Sequence, residues 1–388
     1  MPIVNRIAHM QDEIAVWRRD FHEHPELGFE VHRTAGIVAD KLEAFGCEEV
    51  VPGVGRTGVV GIIKGRKSGS GKVVGLRADM DALPILEATG VAYASKTPGR
   101  MHACGHDGHT AMLLGAAKYL CETRNFDGTV VVVFQPNEEG LTGGLEMVED
   151  GLMERFGIQQ IYGMHTSPAL EIGKFALCAG PMLAAADRFT IEITGKGSHA
   201  AHPQESIDPV VAAAQTIMAL QTIASRNTHP LEAIVVSVCM MQAGDAFNII
   251  PQSTKLTGTV RTLSEKVRLN AKARLAAIAE GTAGAFAASA RVHYEDGVPV
   301  TVNEAEKTKF ASAVAREVAG GESVNDSMRP IMGAEDFAHM LNKRPGAYIM
   351  IGNGVGPGLH NPGYNFNDAA IPYGVSYFAR LAETAMPA

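Results

Sequence analysis

The residues able to do chemistry stand just past apolar runs. TVVVVFQPNEE (129–139) ends in Glu138 and Glu139, IYGMH (161–165) ends in His165, VVGLRADMD (73–81) carries Asp79 and Asp81, and AYIMIGNG (347–354) leads on to His360. MHACGHDGHT adds Cys104 and His106, two residues apart in a glycine-containing loop. Cysteine and histidine are the soft and borderline donors that suit a zinc-type ion. In an open α/β sheet, the crevice at the carboxyl ends of the strands gathers such residues into one site. Two adjacent carboxylates point in different directions, so one can ligate a metal while its neighbour faces a water as general base. The set reads as metalloenzyme chemistry.

Each element also has a plainer reading. A Glu pair in an arbitrary loop is usually a solvated turn, a lone CxH is weak, and a histidine ending an apolar run is more often a satisfied core residue. The Glu pair, however, closes a buried-type strand beside a Cys/His cluster, and the strand-end histidine occurs twice. That coincidence favours ligation. An extended backbone between Cys104 and His106 would let both side chains reach one centre. His102 and His109 read as surface or helix-start histidines holding backbone carbonyls, outside the ligand set. Asp79 and Asp81 could simply cap the next segment.

Positioning these residues requires a particular order of elements. Ile3, Ile7, Met10, Ile14 and Trp17 repeat with a helical period that stops at Pro25, which puts Arg18, Arg19 and Asp20 on an exposed face. A second helix is expected over 34–45, with Gly46 as its C-cap. Strands near 57–64 and 73–79 follow, then a helix over 109–124 that is apolar on nearly every side and therefore buried. Strands alternate with helices, as a mostly parallel sheet requires. Near Leu183 the character changes: RFTIEITGKGSH, a helix over 208–225, two strands, a helix over 264–288 and ARVHYEDG form an α+β unit. After about 297 the first pattern resumes with a helix over 304–319. The expected organisation is an α/β catalytic metal-binding domain, 1–183 and 298–388, interrupted by a smaller α+β domain over 184–297.

Composition narrows the function further. A chain of 388 residues with 46% hydrophobic and 20% charged content suits two domains, since single cores seldom pass about 250–300 residues. A net charge of −8 with scattered lysines and arginines excludes a nucleic-acid partner and leaves a small-molecule substrate. Five cysteines without repeated spacing argue for a reducing compartment. The N-terminal segment has no continuous apolar core of the signal-peptide kind, and no run approaches the roughly 20 residues of a membrane span. A cytoplasmic protein without a membrane partner is expected.

Taken together, LRADMDALP, MHACGHDGHTAMLLGAA, FQPNEEG, GMH and GLHNPGYNFND resemble the M20 metallopeptidase family over essentially the whole chain. The likeness is to the M20D branch of hippurate hydrolases, auxin-conjugate (IAA-amino acid) amidohydrolases and N-acyl amino-acid deacetylases. It implies a zinc-peptidase-like α/β/α catalytic domain with an inserted ferredoxin-like lid and dimerisation domain. It also implies two divalent metal ions per subunit, zinc or manganese with cobalt or nickel as alternatives, held by Cys104, His106, Glu139, His165 and His360. Glu138 would be the general base, and Asp81 the carboxylate that orients a ligand. His199 of GKGSHAAHP would hold the oxyanion, in its own chain or across a homodimer or higher oligomer, with His202 as its competitor. Asn248 and Arg261 would bind the substrate carboxylate. The implied reaction is hydrolysis of an N-acyl amino acid to a carboxylic acid and an amino acid. The same scaffold admits a dipeptidase or deaminase, or a non-catalytic metal-binding homologue. Asn137, the LTGG run, Thr166, and Gly197 with Ser198 depart from the branch pattern beside the expected pocket, which bears on acyl specificity.

Overall fold

Val130 to Phe134 are β-branched or aromatic and fully buried on both sides of their strand, which is how a strand reads when a sheet is covered on both faces. In the computed structural model, which describes residues 4–388, that strand lies inside an eight-stranded sheet. Its strands are β1 (Glu49–Val54), β2 (Gly58–Lys64), β3 (Val73–Asp79), β4 (Thr129–Gln135), β5 (Gln160–Ser167), β6 (Phe175–Ala176), β7 (Val324–Asn325) and β8 (Gly346–Gly352). The order is β1-β2-β4-β3-β5-β8-β6-β7. The central four, β4-β3-β5-β8, run parallel, with Asp79 opposite Gln135 and Met350 opposite His165. Their carboxyl ends therefore open on one edge of the sheet.

Helices α1 (Gln11–Glu23), α2 (His32–Phe45), α3 (His106–Thr123), α4 (Ala305–Ala319) and α5 (Ile371–Ala385) share one core with the sheet face that carries Val74, Leu76 and Ala78. The opposite face carries buried Arg77, whose guanidinium lies 5.6 Å from the Phe337 ring centre. The opening helical pattern is broken: Asn5–Ala8 is a separate turn before α1, and Ile3 lies outside the described residues. Arg18 is not on an exposed face but fully buried, donating to Asp368 at 2.8 Å with Asp107 at 3.5 Å. Periodicity missed this because its partners come from distant segments. Gly46 does cap α2 in the left-handed region, at φ 86°.

The described chain divides into two compact units. The first runs to Gly180 and resumes over Val302–Arg329 and Asp336–Ala388, and the second comprises Pro181–Thr301 and Pro330–Glu335. The second unit contains a four-stranded antiparallel sheet in the order Ile234–Ala243, Ser253–Thr262, Ala185–Thr194, Ser289–Val298. With Pro209–Leu220 and Glu265–Ala285 as crossover helices, this is the β-α-β-β-α-β ferredoxin-like arrangement. Phe189, Ile191 and Ile193 pack against Ala212, Ala213, Ala271 and Leu275 in its core. Among the described residues, no helix is long and apolar enough to cross a membrane.

One buried carboxylate secures the second unit. Asp187 accepts from Arg268 at 2.6 and 2.9 Å, from the Tyr294 hydroxyl at 2.8 Å and from the Gly297 N–H at 2.8 Å. Burial works against its charge, but these donors outweigh it and hold its pKa below the ordinary carboxylate value. Arg268→Leu should destabilise this unit by about 3–5 kcal/mol in urea unfolding, because it strands a buried charge. The folded pKa is depressed, so the ionised pair stabilises fully above about pH 4 and less as pH falls through the lower folded value. The stability lost on acidification below pH 4 should therefore be smaller in Arg268→Leu than in the parent.

Candidate metal centre

Three connections at the open edge of the parallel strands supply the donors. β3 runs into Asp79 and Asp81, β4 into Glu138 and Glu139, and β5 carries His165 within the strand. Cys104 and His106 flank Gly105 at the start of α3, so His106 is the first helical residue rather than part of an extended loop. Gly105 sits at φ 88°, and a Cβ there would stand 2.6 Å from both the Thr166 and Tyr364 hydroxyls. Only glycine makes that bend. It turns Cys104 and His106 into one cluster, a job the extended spacing was expected to do.

The structure brings five expected ligands together. Donor atoms of Cys104, His106 and His165, of Cys104, Glu139 and His360, and of His106, Glu138 and Glu139 each lie within 4.8 Å of one another. The Cys104 sulfur is 3.3 Å from His165 Nε2, and His360 Nε2 is 3.4 Å from Glu139 Oε1. His165 donates its Nδ1 proton to the Thr166 carbonyl at 2.7 Å, and His106 Nδ1 donates to the Asp81 carbonyl at 2.8 Å. Both rings thus present an Nε2 lone pair to the cluster. His106 Nε2 is buried with no hydrogen-bond partner, and the buried Glu139 Oε1 has only the 3.4 Å approach of His360 Nε2. Buried polar atoms are rarely left so, and a soft and borderline donor set of this kind fits divalent metal ions.

Electrostatics agree with that fit. Burial pushes the Cys104 thiol and the Asp81 carboxyl up. Burial, reinforced by His109, lowers His165 to about 3, so its ring is neutral. Burial opposes a proton on His106, yet the negative charge of Asp79, with Cys104 and Asp81 beside it, prevails and raises its pKa. The field that would hold a proton there would equally hold a cation. Hydrogen bonds to Cys104 and Glu139 raise His360 to about 10. His360 is the exposed member, at positive φ, with its N–H bonded to the Ala103 carbonyl at 2.8 Å.

Asp81 acts on the loop as a whole. Its two carboxylate oxygens accept the backbone N–H groups of Glu138 at 2.9 Å and Glu139 at 3.2 Å. Glu138 Oε2 lies 3.9 Å from His106 Nε2. His109, expected to be a surface or helix-start histidine on a backbone carbonyl, lies in the first turn of α3 but is buried and bonds elsewhere: its Nδ1 donates to Asp79 at 2.6 Å and its Nε2 accepts the Thr166 N–H at 2.9 Å. Both nitrogens are taken, which leaves it a supporting ring. His102 is buried as well, and burial lowers it to about 3. Sequence reasoning missed the support beneath the cluster: Arg77 pairs with Asp79 at 2.7 Å and Asp336 at 3.3 Å, and Gln135 donates to Asp336 at 2.6 Å. A charged residue inside an otherwise apolar strand, as in VVGLRAD, was the available signal. Two departures from the branch pattern have local roles. Thr166 bridges His109 and the Tyr364 hydroxyl, and Asn137, at φ 52°, donates to the Thr142 hydroxyl at 2.6 Å.

His199, Asn248 and Arg261 belong to the second unit. His199 pairs with Ile249 in a two-residue ladder, and the Ala200 N–H donates to the Asn248 carbonyl at 3.0 Å, so the two residues are close neighbours. His202 is also exposed, its ring 5.6 Å from that of His199. Arg261 lies on strand Ser253–Thr262, opposite Val235 and Ala186.

Parallel strand ends and a helix start that converge on thiol, imidazole and carboxylate donors define an α/β scaffold built to hold metal ions. Residues 75–384 match the model of Peptidase family M20/M25/M40. The hippurate hydrolase of Campylobacter jejuni is 43% identical over 382 residues, covering 98% of this chain and 99% of that protein. The N-acetylcysteine deacetylase of Bacillus subtilis is 40% identical, with 94% of each chain covered. The crystal structure of the Bacillus subtilis YXEP protein, described as a dinuclear metal binding peptidase from the M20 family, superposes with a TM-score of 0.86. It is 35% identical and covers 98% of this chain and 99% of that one. This chain belongs to Peptidase family M20/M25/M40.

Asp81→Ala should free the Glu138 and Glu139 N–H groups and loosen both carboxylates without removing a ligand. Divalent-metal affinity, measured by isothermal titration, should fall about 10–100-fold, with the far-ultraviolet circular dichroism unchanged.

Proposed function

We propose that this chain hydrolyses the amide bond of N-acyl amino acids, with N-acetyl, N-benzoyl or similar acyl groups, releasing a carboxylic acid and an amino acid. One observation carries the reading: thiol, imidazole and carboxylate donors converge within 4.8 Å of one another, His106 Nε2 buried and unpartnered among them, with a second, buried carboxylate, Glu138, at the edge. The likeness to a hippurate hydrolase and an N-acetylcysteine deacetylase over nearly the full chain supports it. Cys104, His106, Glu139, His165 and His360 would hold two divalent cations. The thiolate favours zinc, and manganese, cobalt or nickel also suit the imidazole and carboxylate donors. Such ions would supply a readily ionised water and polarise the scissile carbonyl.

The chain's own residues do the remaining work. Glu138, 3.9 Å from the free nitrogen of His106, accepts the proton of the attacking water and returns it to the leaving amine. Asp81 keeps that carboxylate aimed by holding its backbone N–H. His199 donates to the developing oxyanion, which exists only after attack, so its contribution falls on the transition state. Asn248 and Arg261 hold the substrate carboxylate. The second unit would serve as lid and dimerisation element, with His199 acting in its own chain or, in a homodimer, across to the partner's site. The cysteine usage fits a cytoplasmic enzyme.

Turnover of a panel of N-acyl amino acids by the metal-reconstituted chain tests the reading, and loaded protein that hydrolyses none of them would overturn it. Glu138→Gln should lower kcat about 10²–10⁴-fold with metal content intact, whereas Glu139→Gln should lose metal. Equal metal content and equal residual activity in the two would remove this division of labour. Mixing Glu138→Gln with His199→Ala chains should restore activity if the histidine acts across the dimer. No recovery in confirmed heterodimers would mean that His199 acts within its own chain or not at all, and would make His202 the next residue to test.

A further inference from the structure

The cysteines outside the metal cluster are not all isolated. Cys47 and Cys121 stand 74 positions apart in sequence, yet their sulfurs are 3.7 Å apart. Cys121 is buried in the last turn of α3, and Cys47 is half-buried in the loop that follows α2. That loop is anchored, with the Gly46 N–H on the Glu43 carbonyl at 3.0 Å and the Cys47 N–H on the Leu42 carbonyl at 3.1 Å. Arg124, just past the end of α3, reaches across to it, donating to the Gly46 carbonyl at 2.8 Å and pairing with Glu48. The juxtaposition of the two sulfurs is thus set by elements on both sides. A cation stands beside it.

We propose that Cys47 and Cys121 are a redox-active thiol pair that reduces low-molecular-weight disulfides of the glutathione class and closes to a reversible intramolecular disulfide. A disulfide has an S–S length of about 2.05 Å and tolerates a limited range of Cβ placements. The sulfurs therefore need to approach by about 1.7 Å, which side-chain rotation and a small shift of the Cys47 loop can supply. The thiolate is the reactive form. The hydrogen bond between the two thiols, in which either sulfur can donate, draws Cys121 below its ordinary value against burial, with Arg124 assisting, and raises Cys47 in turn. A proton shared across the contact can leave the negative charge on either sulfur, and Cys47 is the one a small disulfide can reach.

The electrons and protons balance as follows. The Cys47 thiolate attacks one sulfur of RSSR, the S–S bond breaks, and RS⁻ leaves and takes up the proton given up by Cys47. Cys121 then loses its proton and attacks the Cys47 sulfur of the mixed disulfide. The second RS⁻ leaves with that proton. Two protein thiols are oxidised by two electrons, and one disulfide is reduced to two thiols. No other oxidant is required.

The test uses the metal-loaded full-length protein with oxidised glutathione, digested without reduction and mapped by mass spectrometry. Cys239 is exposed and reports that the reagent is competent. The expected result is a linked Cys47–Cys121 peptide pair, loss of both thiols together, and recovery of both with reduced glutathione. Cys121→Ala should instead accumulate a glutathione adduct on Cys47 that does not resolve. The proposal is overturned if Cys239 is modified while Cys47 and Cys121 stay reduced. It is also overturned if each carries its own adduct with no linked peptide. The parent protein alone decides between these outcomes, so the test does not depend on the variant folding.

Discussion

The Asp81 carboxylate is the interaction on which the rest of the centre depends. It accepts both backbone N–H groups of the Glu138–Glu139 turn, and the carbonyl of the same residue fixes the His106 ring. Three segments, after β3, after β4 and at the start of α3, are referenced to one residue. A proton-accepting carboxylate and a metal-binding one are adjacent in sequence and must point apart, and backbone hydrogen bonds are what hold such a turn still. Without them the pair would be a flexible acidic loop.

Beneath this lies a second constraint, the cost of burying charge. Asp79 is fully buried, and burial by itself would neutralise it, yet His106, Arg77 and His109 keep it ionised with a pKa well below the ordinary value. Arg77 in turn is shared with Asp336, whose other oxygen accepts the Gly144 N–H at 2.7 Å. Charges removed from water persist only when paired and hydrogen-bonded. The network therefore carries negative potential to the cluster while tying β3, β4 and the segment after β4 together. His22 shows the same logic on α1: hydrogen bonds to Asp107 and Glu87 overcome burial and raise it to about 9, next to the helix turn that carries His106.

The second unit solves a different problem. Its sheet is covered by helices on one face and secured at Asp187, while His199 and Asn248 are carried on a short ladder outside the four-stranded sheet. Residues on short, exposed connections can be repositioned at little cost to a core. That suits groups proposed to meet a substrate, whereas the donor cluster of the first unit sits on strand ends and a buried helix.

The sequence alone determined the donor types, their places at the ends of apolar runs, the alternation that makes a parallel sheet and the strand–helix pattern of the second unit. Those features are local: burial period, turn residues and side-chain chemistry act over a few residues. Tertiary structure alone decided the rest. Arg18 looked exposed by periodicity and is buried because Asp107 and Asp368 come to it, and His109, at the helix start, is clamped by Asp79 and Thr166 rather than by the backbone carbonyl that its position suggested. Which ring nitrogen faces the cluster depends on a carbonyl from a neighbouring element, and the meeting of Cys47 with Cys121 depends on where two helices end. A side chain's environment is the sum of contacts from segments far apart in the chain, and no local pattern encodes which of those segments will be its neighbours.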